Sequence, residues 1–97
     1  MTGTMRSSEV QDVRRRKLLF RSWHRGMREV DLILGTFADA AIGDLTEMEI
    51  EQYERLLDIP DTVLLPWITG ERPIPEGEWT EILLRILAFR RMLNFRT

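Results

Sequence analysis

The chain contains no cysteine and a single histidine, His24, and these two shortages remove most site chemistry at once. Without cysteine there is no disulfide, thiolate zinc site, Fe–S cluster or cysteine nucleophile. With one imidazole, histidine-rich metal sites and serine–histidine triads have too few parts. Long apolar runs are also missing. Leu18-Leu19-Phe20, for example, ends at Arg21, far short of the roughly 20 residues a membrane span needs. Met1 to Lys17 holds no apolar stretch ahead of its basic run, which argues against a secretory signal, so the expected setting is the cytoplasm. Strand signals are lacking as well: no alternation of β-branched and polar residues is sustained, and no Asn-Gly or Asp-Gly turn occurs.

What is present is charge, unevenly distributed. Residues 1–28 carry eight Lys/Arg against Glu9 and Asp12, whereas residues 29–81 carry fourteen acids against Arg55 and Arg72. Residues 82–97 add Arg85, Arg90, Arg91 and Arg96, and the net charge is −2. Such a division suits a partner with charged patches of its own, and equally suits helices that solvate themselves with charge. At 97 residues the chain has room for one domain with a modest core.

Five helical segments are predicted. The first opens at Ser8, in a capping box with Gln11, and runs towards Trp23, with residues 1–8 expected to be disordered. The second carries Met27, Val30, Leu34, Phe37 and Ala41 at helical spacing and ends at Gly43-Asp44. The third opens with Thr46-Glu47-Met48-Glu49, another capping box, and buries Ile50, Tyr53 and Leu57. A short fourth helix spans Asp61 to Thr69, made short or late by Pro66. After a Pro/Gly loop from Gly70 to Gly77, the fifth runs from Glu78 to Phe95 with Ile82, Ile86, Phe89 and Leu93 inward. Phe20, Trp23, Tyr53, Trp67, Trp79 and Phe89 are spaced as core or half-core residues. The fold class expected is all-α, a compact five-helix bundle in a single domain.

One segment breaks local rules. Gly26 in or beside a helix costs up to about 1 kcal/mol relative to alanine. Arg25 stands at the positive end of the second helix's dipole, where a cation is disfavoured. On a helical wheel Arg25 and Glu29 share the face opposite the apolar stripe, with Leu32 and Thr36 extending it and Arg28 on its flank. Two readings stand. Gly26 ends the first helix and its neighbours are ordinary surface charges, or the broken rules mark a functional surface.

The stretch Lys17-Leu18-Leu19-Phe20-Arg21-Ser22-Trp23-His24-Arg25-Gly26-Met27-Arg28-Glu29-Val30-Asp31 resembles the signature of the bacterial FAD assembly factors called SdhE. The motif of that family is Arg-Gly-x-x-Glu followed by a hydrophobic residue and Asp, matched here by Val30-Asp31. Leu56-Leu57-Asp58 and Asp61 to Trp67 resemble a later family segment, Leu-Leu, then Asp-x-x-(Leu/Phe)-x-x-Trp, and the likeness covers residues 14–93. Pro66 before the tryptophan departs from the pattern, and residues 1–13 match nothing in it.

The resemblance implies a five-helix protein that binds the flavoprotein subunit of succinate dehydrogenase and promotes its covalent FAD attachment. Fumarate reductase flavoproteins would be related clients. Arg25, Gly26 and Glu29 would form the contact surface, with Met27, Arg28 and Asp31 beside them and Trp67 bordering it. The chain itself is expected to hold no cofactor or metal, FAD belonging to the partner, and to be no enzyme: no Gly-rich dinucleotide fingerprint follows a strand. His24 reads as a partly exposed surface residue. Free of its client, the protein is expected to be a monomer or weak homodimer. The rival is a helix-turn-helix nucleic-acid binder using Arg14-Arg15-Arg16-Lys17, weakened by the acidic middle of the chain. No nucleic acid or membrane is expected among the partners.

Overall fold

The computed structural model describes residues 3–93, with side chains described from Asp12 to Met92. Five α-helices follow one another: α1 (Gly3–Trp23), α2 (Arg28–Ala41), α3 (Glu47–Leu57), α4 (Asp61–Thr69) and α5 (Thr80–Leu93), with a 3-10 turn, Ile42–Asp44, after α2. Among the described residues there is no strand, and the all-α expectation holds.

Helix α1 starts at Gly3, five residues ahead of the predicted cap, so Ser8 lies inside the helix and residues 3–8 are helical rather than disordered. The inner face of α2 is as the apolar spacing requires: Val30, Ile33, Leu34, Phe37 and Ala38 are buried, while Met27 and Ala41 are partly buried against the core. At α3 the predicted capping box is complete. Glu49 N donates to Thr46 Oγ1 at 3.1 Å, and Thr46 N donates to Glu49 Oε1 at 2.9 Å. This second bond, then the Arg85 guanidinium, holds the Glu49 carboxyl below the usual range.

Helix α4 runs straight through Pro66 and stops at Gly70, whose φ of 88° is left-handed. Proline removes a donor, but in a nine-residue helix most amides near the start have no helical acceptor anyway. Helix α5 begins two residues later than predicted. Gly77 N donates to Thr80 Oγ1 at 2.7 Å and Thr80 Oγ1 donates to Pro75 O at 3.0 Å, which ties the loop to the helix start.

The core joins Leu18 of α1 to α2, α3, Leu64 and Ile68 of α4, and Ile82, Leu83 and Ile86 of α5. Much of the charge asymmetry is consumed inside the molecule. Arg14 pairs with Glu54 (2.7 Å), Arg21 with Asp58 (2.8 Å), Arg85 with Glu49 (2.9 Å) and Arg55 with Glu78. The acidic α3 thus meets arginines from both sides. These pairs are largely exposed, and each contributes no more than about 1 kcal/mol.

Candidate functional site

Helix α1 ends at Trp23, and the chain turns through residues 24–27 before α2 begins at Arg28. The turn needs glycine. Gly26 has φ 104°, a left-handed conformation that costs an ordinary residue roughly 1–2 kcal/mol. A Cβ placed there would meet nothing within 4 Å, so conformation, not crowding, demands glycine, and the space above the turn is open.

Arg25 is not on the outer face with Glu29, as the wheel implies. It precedes α2, and its side chain turns inward, only 10% exposed. Nε donates to Asp61 Oδ1 at 2.8 Å, Nη2 to Ile59 O at 2.5 Å and Nη1 to Leu57 O. The physical reason lies at the end of α3. Leu57 is its last residue, and the final carbonyls of a helix lack intrahelical donors and carry partial negative charge. The guanidinium supplies those donors. Asp31 holds the turn from the other side, accepting from Arg25 N at 2.6 Å.

The remaining motif residues separate into two groups. Arg28 and Glu29 are exposed on the first turn of α2, and Leu32, one turn on, is 42% exposed. Met27 is half-buried against the core and Asp31 is half-buried beside Arg25, so neither offers a free side chain next to Glu29. Trp67 is half-buried, and its ring stacks on Trp79 with centroids 6.3 Å apart. The face brought together around the open turn is therefore Gly26, Arg28, Glu29 and Leu32.

His24 is exposed, as expected, with Nδ1 2.6 Å from Phe20 O and its ring stacked 3.8 Å from that of Phe20. Phe20 itself, predicted for the core or half-core, is 55% exposed. Leu18 and Ser22 take the inner face of α1, and a residue two positions from each points nearly opposite. Phe20, Arg21, His24 and Arg25 line a shallow pocket of about 210 Å³ beside the turn.

Beneath the turn the packing is tight. A Cβ on Gly35 would lie 2.2 Å from the Trp23 ring, so α1 and α2 meet across a bare stretch of backbone. Nothing singled out Gly35, although a glycine within a strong helical pattern is a standard sign of close approach. Tyr53 Oη lies 2.5 Å from Ser22 Oγ and 3.4 Å from Leu34 O, joining α3 to α1 and α2. Burial pushes its phenol up to about 12. Asp61 was also missed: it reads as a helix-start residue, and no local signal links it to Arg25 36 positions earlier.

The basic run is half spent on the fold. Arg14 holds Glu54, and Arg15 donates to Ile42 O (3.2 Å) and Leu45 O (2.8 Å), leaving Arg16 and Lys17 outward. That disfavours a nucleic-acid reading. Among the described residues no group of three His, Cys, Asp or Glu could hold a metal ion, and no helix is long and apolar enough to cross a membrane.

Residues 16–90 match the family described as flavinator of succinate dehydrogenase. The chain belongs to that family. The match takes in the second half of α1, the Gly26 turn and α2 through most of α5. Relatives of this flavinator chain include a protein named FAD assembly factor SdhE from Acetobacter pasteurianus, 38% identical over 81% of this chain and 72% of the relative. Two proteins named mitochondrial succinate dehydrogenase assembly factor 2 are also similar. The one from Dictyostelium discoideum is 43% identical over 78% of this chain and 53% of the relative. The one from Schizosaccharomyces pombe is 39% identical over 73% and 51%. The flavinator chain thus spans most of the bacterial relative but about half the length of these mitochondrial ones. No solved structure matches it.

Proposed function

We propose that this protein is a non-enzymatic assembly factor that docks on the flavoprotein subunit of succinate dehydrogenase and promotes covalent attachment of its FAD. Fumarate reductase flavoproteins, which bind the same type of cofactor, are proposed as further clients, and the cytoplasm as the setting, following the match to a bacterial relative. The observation that carries the reading is the open left-handed turn at Gly26 beside exposed Arg28, Glu29 and Leu32 on a helix whose other face is locked in the core. A turn without Cβ lets a client's backbone come close, while Glu29 and Arg28 supply charge-assisted hydrogen bonds at its rim. Because α2 is rigid, little side-chain or loop ordering is left for docking to offset.

Attachment requires a histidine of the client to attack the methyl position of the flavin. This chain's residues bind rather than react: they hold the client in an arrangement where that histidine and the flavin are in reach, raising the population of the reactive geometry. FAD stays with the client, and Trp67 lies to the side of the contact.

The test is Glu29→Ala in cells lacking other copies of the factor, with covalent flavin on the client read by in-gel fluorescence. Fluorescence should fall to the level of factor-free cells. Wild-type fluorescence would remove this face from the function.

A further inference from the structure

The Gly26 turn is anchored to a distant part of the chain far more firmly than a turn between two helices requires. Each of the three guanidinium nitrogens of Arg25 has an acceptor at the α3–α4 junction: the Asp61 carboxylate, Leu57 O and Ile59 O. The Arg25 and Asp61 side chains are 10% and 12% exposed. The backbone of Arg25 is committed too, donating to Asp31. A guanidinium held in this way has no free edge to give a second protein. Releasing it would leave a largely buried carboxylate without its cation, a strongly unfavourable state. Arg25 therefore stands behind the contact surface.

We propose that Asp61 is a positioning residue for client docking. Through Arg25 it fixes the Gly26 turn against the α3–α4 junction, so that Gly26, Arg28 and Glu29 are presented together. Asp31 secures the same turn from α2. The inference rests on the docking reading above and adds to it the division of labour within the surface. Gly26, Arg28 and Glu29 face the client, and Arg25, Asp31 and Asp61 hold them in place.

The experiment uses the full chain, apo-flavoprotein and FAD, with Asp61→Asn and Arg25→Lys, each of which keeps a hydrogen-bonding group in the pair. Two quantities are read. One is the factor concentration giving half-maximal flavinylation; the other is amide hydrogen exchange of residues 25–31 in the isolated factor. Asp61→Asn should raise the half-maximal concentration roughly tenfold, with the plateau still reached at saturation, since a charged hydrogen bond is weakened but no client contact is removed. Exchange at 25–31 should quicken while α5 amides keep their wild-type rates. Adding Arg25→Lys to Asp61→Asn should change little, because the two act through one interaction.

An unchanged concentration dependence for Asp61→Asn would overturn the proposal, as would effects of the two substitutions that multiply, the mark of an Arg25 that touches the client directly. If the wild-type factor itself gave no flavinylation, the docking reading would fall. Exchange at 25–31 would then decide the brace alone: quickened exchange in Asp61→Asn retains it, and wild-type exchange removes it.

Discussion

Two turns in this protein rely on a left-handed glycine, and they are held in very different ways. Gly70, at φ 88°, ends α4, and the backbone closes over it with Arg72 N donating to Pro66 O at 3.1 Å. Gly26, at φ 104°, sits under a buried ion pair, two carbonyl contacts and a carboxylate that accepts from the preceding amide. Both glycines have open space where a Cβ would be. The backbone requirement is the same, so the extra anchoring at Gly26 is not the cost of ending a helix. It serves a turn that must keep its shape when something presses on it. A terminator such as Gly70 can shift by a few tenths of an ångström without consequence.

The largest break in that comparison comes from removing the anchor. Asp61→Ala leaves the Arg25 cation largely buried and unpaired, and should lower unfolding stability by about 3–5 kcal/mol. Glu71→Ala beside Gly70, at an exposed position, should stay within about 0.5 kcal/mol. Urea titration of both variants checks the contrast.

Tyr53 tests the layer beneath the turn. Its phenol is pushed up to about 12 from the ordinary 10, so the native state favours the neutral form. The stabilisation is complete below pH 10 and is lost as the pH rises from there through about 12. Two pKa units correspond to roughly 2–3 kcal/mol. Thermal melts should fall steeply across that window, and Tyr53→Phe should flatten the fall while being less stable at neutral pH, where Ser22 loses its partner.

Gly26→Ala and Gly70→Ala should each cost about 1–2 kcal/mol, since both force a side chain into the left-handed region. Their functional effects should part: Gly26→Ala loses client flavinylation and Gly70→Ala keeps it at matched folded concentration. Equal loss in both would remove the distinction between the turns. The smallest stability effect belongs to Glu29→Ala, expected within about 0.5 kcal/mol because the residue is exposed on the first turn of α2. A variant that melts like the wild type yet fails to support flavinylation would locate the function on the face rather than in the fold.

Much of the architecture was legible in the residues. Val30, Leu34 and Phe37 repeat at a helical period and are buried, and Thr46 and Glu49 form the reciprocal cap their spacing implies. Both are local rules, satisfied within one or two turns. Errors arose where a local rule was extended past its element. The wheel drawn through Arg25 assumed that α2 reached back that far, whereas α2 begins at Arg28. The cap placed at Ser8 assumed that α1 could not begin sooner, whereas it begins at Gly3. Phe20 was assigned to the core or half-core by residue type, and the register of α1, set by Leu18 and Ser22 facing inward, turned it outward.

By itself, then, the order of residues determined the helical class, the number of helices, the inner face of α2 and the place of the Arg-Gly-x-x-Glu segment. Periodicity, capping and turn chemistry act over a few residues and are written in sequence. Only the tertiary structure decided that Arg25 faces inward, that Asp61 holds it, that Trp23 lies on Gly35 and that the acidic α3 is neutralised by arginines from α1 and α5. Those outcomes depend on which helix ends are brought together. A guanidinium goes to whichever unpaired carbonyls and carboxylate the packed helices place within its reach, and no spacing along the chain records that.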